Sequence, residues 1–304
     1  MENRLVLIGS IVFVFASFIL MIVLLVYESY KSKKMREMAM SIKTETTAQV
    51  TAAKQDFSMY KTMVGDDGRE MVQIPEGPFV MGSRDNDSDP DEKPEHQVYL
   101  KSYFVDLNEV GRGEYDRFAK MTKRAQRRIE VFEDDPAKLL KPELPAIAVT
   151  WDDAEAYCKW AGKRLPTEAE WEKAARGESK RRYPWGNEFA PGYANIDGNE
   201  DGFRYLAPPG SFEAGRSPYG LYDMTGNVGE WVADSYEEDF YQKSPYRDPK
   251  GPEQGEQKVI RGGSWRETKK NARPSKRFQA KPWRHDITVG FRCAKDIEVD
   301  ALAK

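Results

Sequence analysis

The sequence predicts an α+β protein in which one irregular, loop-rich domain follows a single transmembrane helix and a helical stem. Three observations carry this expectation. Leu5 to Tyr27 is an uncharged run of mainly Leu, Ile, Val, Phe and Met, and residues 31 to 66 place apolar side chains mostly three or four apart. From Met71 onward, short apolar runs alternate with Gly, Pro, Asn and Asp. A chain of 304 residues with 39% hydrophobic content has room for one large or two small domains and can bury a core. A net charge of -3 without a sustained basic stripe gives no reason to expect nucleic acid as a partner. Lys180-Arg181-Arg182 reads as a solvated loop.

The first run is long enough to cross a hydrocarbon core of roughly 30 Å as a helix. It exceeds the roughly 7 to 15 residues of a signal-peptide core, and no small-x-small site closes it, so an uncleaved anchor over residues 1–30 is expected. Tyr27-Glu28-Ser29-Tyr30-Lys31 suits the interfacial border. Met35, Met38, Ile42, Val50, Ala53, Phe57, Tyr60 and Val64 mark one helical face without an intervening proline, giving a stem over residues 31–67. That stripe suits either a partner helix or the protein's own domain. The main domain is expected over 68–298, with a tail at 299–304.

Two helices announce themselves by their caps. Thr150 precedes an expected helix from Ala154 to Ala161, and Thr167 caps Glu168 to Arg176 with Glu170 placed as in a capping box. A third helix is expected from Gly113 to Lys123. Between and after these, turn residues dominate.

Several segments invite a metal. The acidic stretch Arg84 to Glu92 offers alternating Asp and Asn oxygens but lacks the Gly and terminal Glu of a helix-loop-helix calcium site, and is expected to be a solvated loop. Asn195-Ile196, followed by Asp201-Gly202-Phe203, can bring two side-chain oxygens and two carbonyls together where the chain folds back. Asp223 and Glu230 bracket a Gly-containing turn, with the carbonyls of Gly226 and Val228 between them. Mixed oxygen donors of this kind are what calcium prefers.

The motifs Met81-Gly82-Ser83, Trp160-Ala161-Gly162-Lys163-Arg164-Leu165-Pro166-Thr167-Glu168-Ala169-Glu170-Trp171-Glu172, Tyr183-Pro184-Trp185-Gly186, Gly226-Asn227-Val228-Gly229-Glu230-Trp231, Arg261-Gly262-Gly263-Ser264-Trp265 and Gly290-Phe291-Arg292-Cys293 stand in one run. Together they resemble the formylglycine-generating enzyme (sulfatase-modifying factor) family over about residues 68–296. The resemblance implies a compact domain related to the C-type lectin fold. It implies up to two calcium ions, one held by Asn195, Ile196, Asp201 and Phe203 and one by Asp223, Gly226, Val228 and Glu230. It also implies that Cys158 and Cys293 can be partners in a disulfide, two buried free thiols being the alternative. The family motif most often has Trp where Gly229 stands, so a gap in the packing is expected there.

The departure lies in the reactive positions. The family's oxidases bind copper through two cysteines, whose places fall here on Glu267 and Ala272. Copper(I) requires soft thiolate ligands, so no copper is expected. A three-histidine iron site cannot be built from His96 and His285 alone, and no iron is expected either. Neither histidine has a context that suggests a relay with Ser264. Ser264, Trp265, Arg266 and Glu267 are instead expected to shape a groove suited to a peptide or a partner loop, with Trp283 as a candidate wall and Trp171 and Trp231 in the core.

The lysines and arginine after the span place the domain in the cytoplasm by the positive-inside rule. Calcium and a disulfide, both implied by the resemblance, favour the periplasmic or exoplasmic side, which is the expectation adopted. The expected function is that of a membrane-anchored, non-catalytic binding or accessory subunit of a membrane protein complex, braced by calcium. The alternatives are a metal-dependent oxidoreductase of the same fold acting on a peptide or small molecule, and a factor whose stem is the functional part.

Overall fold

A computed structural model describes Tyr27, Lys34 and residues 56–124, 138–198 and 200–297. The expected span, most of the stem and the tail lie outside the described residues, although Tyr27 and Lys34 are helical. Among the described residues no helix is long and apolar enough to cross a membrane. The chain divides into units at residues 1–56 and 57–304. The second unit is a mixed α/β domain.

Its strands are short and its loops long. β1 (Thr62–Val64), β2 (Glu70–Ile74), β5 (Tyr103–Asp106) and β10 (Ala294–Asp296) form one antiparallel sheet in the order β1-β2-β5-β10. β3 (Gly77–Met81) and β4 (His96–Leu100) pair as a two-stranded antiparallel sheet. β6 (Gly229–Ser235), β7 (Lys258–Arg261), β8 (Phe278–Ala280) and β9 (Val289–Gly290) make the third, ordered β8-β7-β6-β9, with β9 parallel to β6. Val98 and Leu100 of β4 alternate inward as a half-buried strand should.

Among the described residues, the helices α1 (Arg112–Thr122), α2 (Trp151–Trp160) and α3 (Glu168–Arg176) sit among them. Capping chemistry sets where the last two start. Thr150 accepts from the Asp153 amide, so α2 begins at Trp151, three residues earlier than the alanine-rich stretch suggested. Thr167 accepts from the Glu170 amide at 3.2 Å while Glu170 accepts from the Thr167 amide at 2.8 Å. α3 is buried along its whole length and ends at Gly177, whose φ of 69° favours glycine. Phe57, Tyr60 and Val64, expected on the stem's helical face, lie instead in a turn and in β1. Pairing of β1 with β2 captures this stretch for the sheet, overriding its helical spacing.

Among the described residues, apolar packing occupies three clusters. One gathers Ile74, Phe79, Val98, Trp171 and Leu221 beneath α3, and another gathers Phe118, Tyr157, Trp231 and Phe291 around Cys158 and Cys293. A third holds Leu206, Val228 and Trp265. Between them run buried ion pairs. Arg261 binds Glu168 at 3.0 Å and also Glu172, Arg277 binds Glu168 at 2.8 Å, and Arg273 binds Glu92 at 2.8 Å. Lys163 bridges Asp67 at 2.7 Å and Asp106 at 2.8 Å. Such charges are tolerated inside only when paired and further hydrogen-bonded, as Arg261 is by the carbonyls of Pro274 and Ser275. They fix long loops that have few backbone ladders of their own.

Candidate functional site

β7 ends at Arg261, and the next two residues reverse the chain. Gly262 and Gly263 have φ of 91° and 70°, and a Cβ on Gly263 would stand 2.9 Å from Ala272 Cα, so only glycine fits both the conformation and the space. This turn delivers Ser264 and Glu267 to an open groove of about 450 Å³. The floor is Gly229, Trp231 and Ile260, and Trp283, 64% exposed, stands on its wall. Trp231 is floor and core together: it is 1% exposed and donates through Nε1 to the Val149 carbonyl at 3.0 Å. Trp171 is fully buried.

Of the four residues expected to shape the groove, two line it. Glu267 is half-buried, accepts from Asn271 Nδ2 at 2.9 Å, and through its backbone carbonyl accepts from the Asp197 amide at 2.9 Å. Ser264 accepts the Glu267 amide at its carbonyl at 2.9 Å. Trp265 turns inward instead, packing edge-on to Tyr205 at 5.3 Å, because its indole is large enough to complete the third apolar cluster. Arg266 lies over the Trp265 ring at 4.6 Å and is exposed. Ala272 is buried against Gly263 and takes no part in the groove surface.

Cys158 and Cys293 are joined in a disulfide with Cα atoms 5.6 Å apart, and both are fully buried. They are the chain's two cysteines, so no thiol is left free.

The two oxygen-rich loops differ. In the first, Asp201 folds the chain back by accepting from the amides of Ile196 at 3.1 Å and Phe203 at 2.9 Å. Asn195 is buried, donates to the Tyr205 carbonyl at 2.7 Å, and leaves its Oδ1 without a hydrogen-bond partner. An orphaned buried amide oxygen beside a carboxylate and two carbonyl-bearing residues fits calcium. In the second loop, Glu230 is already committed: Arg292 binds both its oxygens at 2.7 Å, and Trp171 Nε1 donates to one at 2.7 Å. Asp223 accepts from the Gly210 amide at 2.7 Å. Of the expected set of Asp223, Gly226, Val228 and Glu230, Glu230 is therefore already neutralised by Arg292, which leaves this loop a less open donor set than the first. Among the described residues no three His, Cys, Asp or Glu side chains gather as a metal site. His96 packs against Tyr241 at 4.9 Å, and His285 is exposed.

Sequence reasoning missed the residue that joins these parts. Asn227, with φ of 57°, receives Asn195 Nδ2 at its side-chain oxygen at 3.0 Å and the Trp265 amide at its carbonyl at 2.9 Å. Its own Nδ2 donates to Glu109 at 2.8 Å. Glu109 was missed too, although a lone acid between apolar positions in Leu107-Asn108-Glu109-Val110 is a signal of a buried partner. Burial and the charges of Asp223 and Glu230 push Glu109 well above the usual carboxylate range, and burial pushes Asp223 up to about 6. Glu109, Asp223 and Glu230 thus share one guanidinium, that of Arg292.

The acidic stretch is not simply solvated. Arg182 binds Asp85 at 2.9 Å and Asp87 at 2.5 Å, Lys276 binds Asp89, and buried Asp91 accepts from Tyr236 at 2.9 Å. Basic residues from distant loops, including the Arg182 expected to be solvated, neutralise it.

Short strands, a glycine turn into an open groove and an internal disulfide define a mixed α/β domain of the formylglycine-generating type. Residues 56–297 match the sulfatase-modifying factor enzyme 1-like domain, and the chain belongs to that family. It is 38% identical over 248 residues to the serine/threonine-protein kinase pkn1 of Chlamydia caviae, covering 75% of this chain but only 38% of the kinase. It is 34% identical over 277 residues to the inactive C-alpha-formylglycine-generating enzyme 2 of Mus musculus, covering 74% of this chain and 85% of that one. Among solved structures, PvdO from Pseudomonas aeruginosa is 32% identical with a TM-score of 0.69, covering 81% of this chain and all of that one.

Proposed function

We propose that this chain is a membrane-anchored, non-catalytic member of its family, a binding or accessory subunit of a membrane protein complex whose groove holds a segment of a partner protein. The cysteine inventory carries the proposal. Copper-driven thiol oxidation needs paired thiolates, while the chain's two cysteines are bonded to each other in the core. The groove presents the hard oxygens of Glu267 instead, and Ala272 offers no ligand. A relative whose own name calls it inactive supports a use of this fold apart from oxidation. The relation to the C-type lectin fold belongs to the same proposal, since it would make ligand holding by loops a natural use of the scaffold.

One calcium ion, held by Asn195 and Asp201 side chains with the Ile196 and Phe203 carbonyls, would brace the loop that bonds to Glu267 through Asp197. Its role is electrostatic and mechanical, fixing one wall of the groove. An internal disulfide favours an oxidising compartment, supporting the periplasmic or exoplasmic side over the one the charge bias suggests.

Native purification of the full chain from membranes tests the proposal. A partner chain that co-purifies in fixed stoichiometry and is lost when the groove is blocked by Ala280→Trp is the expected result. Purification of the chain alone would remove the accessory role.

A further inference from the structure

We propose that the cleft between α2 and the turn from β4 to β5 is a binding site for a small organic acid, a carboxylate carried on an apolar body. This cleft shares no lining residue with the groove beside the glycine turn, so the site stands apart from the partner-binding role.

The cleft encloses about 600 Å³, a size suited to a small molecule. Buried Leu100, Tyr103 and Leu165 line it, together with half-buried Trp151 at the start of α2. Trp151 Nε1 donates to the Val232 carbonyl at 2.7 Å, and the Tyr103 hydroxyl donates to the Glu170 carbonyl at 2.6 Å. Both aromatic side chains are thus tethered before any ligand arrives, which lowers the ordering cost of binding.

Charge gives the ligand its head. Four cationic and four anionic side chains line the cleft, so it is neutral in sum, but the two signs are used differently. Every carboxylate is engaged by a donor of the protein. Lys159 holds Glu155 at 3.1 Å, and Arg164 holds both Glu170 oxygens at 2.7 and 2.8 Å and reaches Asp296 as well. Asp248 accepts the Lys101 amide at 2.9 Å. The ammonium groups of Lys101 and Lys250 are left over: both residues are exposed, and among the described residues neither ammonium forms a hydrogen bond or an ion pair. Lys250 acts on Asp296 only from beyond ion-pair distance. The Asp248 bond brings the loop that carries Lys250 against Lys101, so both lysines belong to one end of the cleft. Arg247, stacked 4.6 Å from the Tyr99 ring, adds a third positive charge beside them. A ligand carboxylate at this end, with its apolar body against Trp151 and Leu165, complements both parts of the lining.

The probe is naphthoate, titrated by calorimetry into the full chain in detergent and corrected by a protein-free titration. Naphthalenemethanol and naphthylmethylammonium serve as its neutral and cationic counterparts, and acetate as the acid without an apolar body. Naphthoate is expected to bind tightest, at one site per chain, and acetate not at all. Lys101→Gln and Lys250→Gln should each weaken naphthoate about threefold, and together about tenfold, as the loss of partly exposed ion pairs does. Binding of the alcohol should stay as it was, and so should the melting temperature, because neither ammonium is bonded within the fold. Naphthoate binding no tighter than that of the alcohol, the amine or acetate, no binding at all, or a preference that survives the double lysine variant would overturn the inference. Ala280→Trp, which blocks the groove, should leave naphthoate binding unchanged, and a loss there would place the acid in the groove and overturn the inference too. Failure of a partner to co-purify would sink the accessory role alone.

Discussion

Arg261 and Glu267 stand at the two ends of one short motif and live in opposite worlds. Arg261 is fully buried, bound to Glu168 and Glu172 and to two backbone carbonyls. Glu267, a few residues on, faces an open groove with one amide partner. The glycine turn between them separates a part that holds the domain together from a part that the proposed function assigns to partner binding. Substitution at the first end is therefore a question about folding, and at the second a question about binding.

The comparison can be broken most severely at Glu168, which answers both Arg261 and Arg277. Glu168→Ala leaves two buried guanidinium groups short of a counter-charge and is expected to cost about 3–5 kcal/mol in denaturant unfolding. A loss below 1 kcal/mol would mean that these ion pairs do not hold the domain. Next comes the disulfide, whose cysteines are separated by 135 positions. Cys158→Ser with Cys293→Ser should cost roughly 2–5 kcal/mol, read from the same unfolding curves. Loss of the calcium brace is smaller. Full-length protein in calcium at about 100 times its Kd should gain about 2.7 kcal/mol over the chelated form, and Asp201→Ala should abolish the difference. An unchanged melting temperature on chelation would leave that loop without its ion.

Asp234 sharpens the buried side by pH. Burial, with the charge of Glu168 beside it, pushes its carboxyl up to about 8, while it accepts the Glu168 amide at 2.8 Å. The folded state then holds a proton that the unfolded chain releases near pH 4, so this contribution is fully present below that pH and is lost as pH rises through about 8. Asp234→Asn should flatten the decline in melting temperature between pH 5 and 8. An identical slope in the variant would assign the decline elsewhere. At the groove, Glu267→Gln should change stability by less than about 0.5 kcal/mol.

Local chemistry made much of the scaffold legible. Thr150 and Thr167 announced two helices because a cap is decided within four residues, and the third, expected from Gly113 to Lys123, is found one residue earlier at each end. The return of the chain on itself at Asp201, which accepts from the Ile196 and Phe203 amides, is local in the same way. Partners far apart in the chain were not. Arg292 claims Glu230 across 62 positions and Asn227 reaches Glu109 across 118, so neither pairing leaves a mark in local spacing. Trp265 and Arg266 looked like groove residues by position, but the turn at Gly262-Gly263 rotates one into the core and the other to the surface.

Copper retention and oxygen uptake test the central claim most directly. Purified full-length protein would be loaded anaerobically with copper(I), desalted, assayed for bound metal and exposed to air with a cysteine-containing peptide. With both cysteines locked in the core and Glu267 in the groove, the account predicts no retained copper and oxygen uptake equal to a protein-free control. Stoichiometric copper with peptide-dependent oxygen consumption would contradict it.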